Sequence, residues 1–464
     1  MGKIIRIDPV TRISGFLDIK IEVEESIITK AETSGLLYRG FEKMLKGRSP
    51  LDAVYFTERI CGICSIAHGT ASTRALEDAL NINVAVNDLY LRDIMHGFDF
   101  LQNHLRQFYF FTVPSYAKMP DIKPLYSQEY TDFRMPDSLN KRMAEHYNKA
   151  IKYSRLAHEG LAVLGGKAPH VHGIFVGGVT VNIDSYKLEK VKSIIAEIKE
   201  FVDNNMIEDV DIISRYYPDY FEKGISYANF MSYGLFDKYP SDLEISYVQP
   251  GISILDKKYP LDTGEITEHI KYSWYSREKT GEEANIKKPD GYSFIKAPRY
   301  NGLPMEVGPL ARMMISGYYT RGNSCMDRNI ARVLETKKIL EIVSKLTERV
   351  ELKVSNQQIY EIPDSAFGMG ITDTIRGSLG HWIEIKNKVI KYYDIITPTA
   401  WNLSPKDDNG TPGVGEKSLI GSKINDIKQP VEAGRIIRSF DPCISCATHV
   451  IGDGQEPIEI EILV

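Results

Sequence analysis

The chain has 464 residues, of which 43% are hydrophobic and 26% charged, with a formal net charge of −5. This is the balance of a soluble globular protein, long enough for one large domain with a substantial core. Mild net acidity gives no reason to expect nucleic acid or an anionic membrane as partner. Apolar runs such as HGIFVGGVTVNI fall short of the roughly 18 residues that span a bilayer, and MGKIIRIDPVTR has no apolar segment of a signal peptide. Five cysteines are too few for a disulfide scaffold.

In chain order, Leu17, Ile19, Ile21 and Val23 alternate with Asp18, Lys20, Glu22 and Glu24, which predicts a half-buried strand. Apolar spacings of three and four then predict helices over 65–80, 87–111, 139–164, 186–202 and 327–350. Residues 205–300, richer in Tyr, Pro, Gly and Asp, read as an irregular, partly β insertion. The stretch 386–430 reads as loop-rich, and the tail EPIEIEILV alternates like a strand. The expected class is α+β, predominantly helical: a long-helix bundle core with small peripheral β elements. The expected organisation is one domain over 1–449. Within it lie an N-terminal β region (1–60), a helical core (61–205 and 300–350), the insertion (205–300) and a C-terminal metal-binding region (351–449). Residues 450–464 form an extension.

Four of the five cysteines stand in two CxxC pairs at opposite ends of the chain, in ERICGICSIAHG and DPCISCATH. Zinc knuckles usually pair CxxC units about 15 to 20 residues apart, and a thioredoxin-like site needs only one pair. Four thiolates drawn from the two chain ends suit a late transition metal. Ionising four thiols at pH 7 costs about 8 kcal/mol before repulsion, so such a site needs a strongly bound metal to assemble. Cys325, in RGNSCMDRN, has no second cysteine nearby and reads as a buried free thiol. GTPGVGEKS departs from a phosphate loop at Glu416, and PHVHG at 169–173 reads as packing.

The segments flanking the pairs resemble the large, catalytic subunit of nickel–iron hydrogenases from end to end. They are IDPVTRISGFLDIKIEVE, SGLLYRGFEKMLKGRSP, LGGKAPHVHGIFVGGVT, YSFIKAPRYNGLPMEVGPLAR, TIRGSLGHWIEIK, TPTAWNLSP and RSFDPCISCATH. The resemblance implies Cys61 and Cys443 as terminal nickel ligands. It makes Cys64 and Cys446 bridges to an iron that carries cyanide and carbonyl ligands. It further implies His68 as a donor to the Cys64 thiolate, Arg376 as a donor to one cyanide, and Thr399 as a donor to the other. Glu42, His449 and the main chain at Ile395 would hold magnesium.

The implied reaction is reversible heterolytic cleavage of dihydrogen, with the Cys443 thiolate as base and Arg376 and Asp441 shaping the field around it. The implied partners are dihydrogen, an iron–sulfur small subunit forming a heterodimer, nickel-insertion proteins and a maturation protease that removes 450–464. The extension would keep the Cys443 segment from closing over the metals. No direct membrane span is expected; the location would be cytoplasmic, or membrane-associated or exported through the small subunit. Two positions depart from the family pattern. A relaying glutamate is Ser14 here, which reads as a serine–water relay, and an aspartate near the active-site arginine aligns with Ser115. The rival reading is a non-catalytic scaffold related to quinone reductases, which have lost the cysteines.

Overall fold

The structure, a computed structural model, describes residues 2–120, 132–278, 281–355 and 358–447. It opens with an antiparallel meander of Lys3–Ile7, Leu17–Glu24 and Ile27–Gly35. Leu17, Ile19, Ile21 and Val23 are buried, as their alternation predicts. Glu25 and Ser26 both take positive φ, the twist that a two-residue hairpin turn requires.

The periodic stretches fold as helices Ser65–Ala79, Val86–Arg106, Asp137–Gly165, Ser185–Phe201 and Cys325–Arg349. The second runs on through a π-helical turn at Gln107–Thr112. It packs against both Asp137–Gly165 and Cys325–Arg349, and Asp137–Gly165 packs in turn on Ser185–Phe201. The segment from 205 onward begins with a further helix, Ile207–Tyr216, before short strands take over. Among the described residues, no helix is long and apolar enough to cross a membrane.

A second antiparallel meander, Ser365–Thr374, Gly377–Lys386 and Val389–Ile396, was not foreseen as a sheet. Its first strand lies directly on the helix Ser65–Ala79. A Cβ at Gly368 would stand 2.1 Å from the Ala75 carbonyl oxygen, and one at Gly370 1.9 Å from that of Ala71. The glycines that weaken the strand pattern in FGMGITD are what allow the backbone to approach the helix so closely. This contact brings the Thr374–Gly377 turn, and with it Arg376, toward the helix that starts after Cys64.

Candidate active site

Both CxxC pairs sit at the start of a helix, in different registers. Cys61 lies in the loop that precedes the helix Ser65–Ala79, and Cys64 is its N-cap residue without a side-chain capping bond, so the thiol stays free. Cys443 immediately precedes the short helix Ile444–Ala447, which contains Cys446. The four sulfurs lie within 4.8 Å of one another and all four residues are buried. Individual separations are 3.4 Å for Cys61–Cys443, 3.3 Å for Cys64–Cys446 and 2.9 Å for Cys443–Cys446. As thiols alone, the four concentrate negative charge on Cys443. Donation from Cys446, Cys61 and Cys64, helped by Arg376, holds its thiol well below the ordinary range. Cys64 is pushed up chiefly by its hydrogen bond to Cys443, and Cys446 chiefly by burial.

The N-terminal segment is bound directly to this loop. Ser14 forms a parallel bridge with Cys443: its N–H donates to Pro442 O at 3.1 Å and its carbonyl accepts from Ile444 N at 2.8 Å. Gly15, at φ +91°, passes so near that a Cβ would meet Ser445 N at 2.9 Å. Cys443 Sγ is 3.7 Å from Ser14 Oγ. The Cys443 segment therefore lies against the other pair; the role expected of the extension 450–464 falls on residues outside those described.

Arg376 is buried beside the cluster. Its Nε donates to Asp441 O at 2.7 Å, and its Nη2 to Asp441 Oδ1 and Asn103 Oδ1, both at 3.2 Å. Asn103 closes the ring by donating to Asp441 Oδ2 at 2.7 Å. Asp441 takes φ +56°, an uncommon backbone for a non-glycine residue, and this is the geometry that presents its carbonyl to the guanidinium. Burial opposes the charge on Arg376, but Asp441 and the neighbouring sulfurs of Cys443, Cys64 and Cys61 hold its pKa well above the ordinary value. Its Nη1 is buried without a hydrogen-bond partner. Thr399 accepts from Cys443 N at 3.1 Å, which leaves its hydroxyl proton for another acceptor.

His68 is neutral, its pKa lowered to about 4 by burial. Its Nδ1 pairs with His381 Nε2 at 3.2 Å, and His381 Nδ1 with Tyr393 OH at 2.9 Å, so the ring is oriented by His381. Glu42 Oε1 accepts from Ile395 N at 3.2 Å; the main-chain group of Ile395 that meets it is the N–H, not the carbonyl. Burial, then Asp394 and Glu268, raise the Glu42 carboxyl well above its usual range, against the pull of Lys296. Glu42, Glu268, Lys296 and Ile395 line one cavity. His449 and the extension lie outside the described residues.

The Ser115 hydroxyl meets Arg438 Nη1 and Phe111 O, both at 3.5 Å, and a side chain hydrogen-bonded to Arg376 is Asn103. Asn103 and His381 escape sequence reasoning because nothing in their local pattern marks them. Cys325 is the buried free thiol expected, near Tyr116 OH and Arg435 O. His170 of PHVHG packs on Ser65 and Glu58.

The donor chemistry fits a metal cluster. Four crowded, buried sulfurs need a soft metal to hold them together as anions. A buried guanidinium nitrogen without a partner and a free hydroxyl proton are donors awaiting acceptors. Glu42 and Glu268 offer hard oxygen donors suited to magnesium.

A family profile described as nickel-dependent hydrogenase matches residues 39–122, 117–323 and 317–449. The chain is 34% identical to the periplasmic [NiFeSe] hydrogenase large subunit of Desulfomicrobium baculatum, over 97% of this chain and 96% of that one. It is 29% identical to the hydrogenase-2 large chain of Escherichia coli K12, over the full length of both. It superposes on the Ni-Fe-Se hydrogenase of Desulfovibrio vulgaris Hildenborough in the reduced state with a TM-score of 0.92 at 34% identity, covering 97% of this chain and 100% of that one. Two of those names include selenium; all four cluster positions here are cysteine. With two CxxC pairs converging on one buried site and matches along nearly its whole length, the chain belongs to the nickel-dependent hydrogenases, enzymes that act on dihydrogen.

Proposed function

We propose that this chain is the catalytic subunit of a nickel–iron hydrogenase that cleaves dihydrogen heterolytically and reversibly, passing electrons to an iron–sulfur partner subunit. The observation that carries the reading is the convergence of the four sulfurs within 4.8 Å. Cys61 and Cys443 would hold nickel, and Cys64 and Cys446 would hold both nickel and an iron bearing cyanide and carbonyl ligands. When bound, such a pair supplies Lewis acidity and electron storage. The chain supplies the rest. The Cys443 sulfur would hold the proton released in heterolytic cleavage, and Ser14 Oγ, 3.7 Å away, would pass it outward through water. Arg376 Nη1 and the Thr399 hydroxyl would donate to the diatomic ligands of the iron. Asp441 and Asn103 hold the Arg376 fork in place, and His68, oriented by His381, tunes the Cys64 thiolate.

The two electrons leave through the partner. With four cysteines committed and Cys325 isolated, no usual cysteine set for an iron–sulfur cluster remains in this chain. Glu42, the main chain near Ile395 and His449 would frame a magnesium site. Residues 1–449 would act as one domain around a long-helix bundle core, and 450–464 would be removed by a maturation protease after nickel-insertion proteins have loaded the site. The pair would be cytoplasmic, or membrane-associated or exported through the small subunit. The intact cysteine set weighs against a quinone-reductase-type scaffold, which needs none of the four.

The test is isotope exchange. The purified complex under D2 in H2O should release HD, and Cys443→Ser should abolish the release. A complex with bound nickel that yields no HD would refute heterolytic cleavage.

A further inference from the structure

The helix Cys325–Arg349 turns Arg328, Arg332 and Glu335 into the interior, and all three are buried. Glu335 accepts both Nε and Nη2 of Arg312 at 2.7 Å, a bidentate pair with neither side chain exposed. It also takes His104 Nε2 at 2.9 Å and Tyr247 OH at 3.0 Å. Arg312 in turn grips main chain. Its Nη1 donates to Asp373 Oδ2 at 3.1 Å and to Thr374 O at 2.8 Å, and its Nη2 reaches Ile375 O at 3.4 Å. Thr374 and Ile375 are the two residues that precede Arg376. One turn of the helix away, Arg332 Nη2 donates to Ser439 O at 2.9 Å, two residues before Asp441. One helix face thus fixes both backbone segments that meet at the Arg376–Asp441 contact, one directly through Arg332 and the other through Arg312 of the neighbouring helix Pro309–Ser316.

As a stability device this arrangement is poor. Buried ion pairs cost several kcal/mol of desolvation per ion, and apolar residues of similar volume often serve as well or better. What apolar residues cannot do is donate to named carbonyls at fixed positions. The same network leaves Arg376 rigidly placed with Nη1 unpartnered.

We propose that Arg312 and Glu335 are positioning residues for Arg376, setting the height of its guanidinium over the cysteine cluster by holding the Thr374 and Ile375 carbonyls. This rests on the reading of Arg376 as a donor to the bound metal centre. Displacement of a catalytic group by about 1 Å can slow turnover about 10²-fold.

The test uses the purified complex with its metals, with turnover expressed per bound nickel. Glu335→Gln and Arg312→Lys should each lower kcat by about 10- to 10²-fold with KM for dihydrogen unchanged. In an Arg376→Lys background either change should lower kcat less than about twofold, because coupled residues are not additive. A crystal structure of Arg312→Lys should show the guanidinium moved by about 1 Å with the four sulfurs in place. Arg312→Lys keeps the charge balance and carries the test if Glu335→Gln yields no folded complex. Multiplicative effects in the double variants, or an unmoved guanidinium, would overturn the proposal. If Arg376→Lys alone leaves turnover intact, the role of Arg376 itself fails, while the crystallographic displacement still reports on positioning.

Discussion

Ser14 and Cys443 are joined by backbone and side chain together: a parallel bridge holds their main chains, and the thiol lies 3.7 Å from the serine hydroxyl. Because the backbone bridge does not depend on the side chain, position 14 can be changed without releasing the loop. Ser14→Ala should slow dihydrogen oxidation by about 10²-fold, the lower range for losing an acid–base group, with nickel and iron content unchanged. Ser14→Glu should keep or raise activity. A fully active Ser14→Ala complex would show that the proton leaves elsewhere.

Arg376→Lys replaces a planar fork by a point donor and removes the unpartnered Nη1. Turnover should fall by about 10²- to 10³-fold, the loss typical of one preorganised donor, while metal content stays near wild type. Asn103→Ala leaves Asp441 Oδ2 buried without its donor, a cost of about 1–3 kcal/mol. It should lower the thermal midpoint as well as kcat. Calorimetry and steady-state kinetics on the same preparations check both, and an Arg376→Lys complex of normal turnover would remove Arg376 from the mechanism.

His96 supplies a pH prediction away from the metals. Burial, then the charges of Arg74 and Arg312, lower its pKa to about 3, against about 6.5 in an unfolded chain. A base depressed in this way contributes stability that is present above pH 6.5 and lost progressively as pH falls toward 3. Its ring lies 5.1 Å from that of Phe100, so a phenylalanine side chain meets an aromatic neighbour there and cannot take up a proton. His96→Phe should therefore parallel wild type above pH 7 and gain on it below pH 6.5 in a thermal midpoint series. Curves that stay parallel from pH 7 to pH 4 would contradict the assignment.

Maturation is read by mass. If residues 450–464 are removed, the large chain in active complex should end at His449, fifteen residues short of the encoded sequence. Activity from a full-length chain would eliminate processing as a requirement.

Much of the site was legible because cysteine pairing is written in sequence spacing and the flanking motifs are dense. The long helices were legible because their periodicity is sustained over many turns. What stayed hidden depends on contacts between distant segments. The meander 365–396 was obscured because Gly368 and Gly370, needed for close packing on Ala71 and Ala75, break the strand signal. Asn103 could not be assigned to Arg376 because the helix that carries it gives all its inward polar residues the same local pattern. Ser115, by contrast, was placed by alignment and falls against Arg438 beyond the π turn at 107–112. Arg312 and Glu335 read as ordinary helix charges until their bidentate pairing is seen.

The central claim is that the two CxxC pairs build one nickel–iron site. Elemental analysis of the anaerobically purified complex tests it most directly, comparing wild type with Cys61→Ser and Cys446→Ser and counting nickel per large chain. About one nickel is expected per wild-type large chain, with an iron beyond those of the partner's clusters, and the nickel should be lost in either variant. Zinc alone at the site, or nickel retained when either cysteine is replaced, would contradict it.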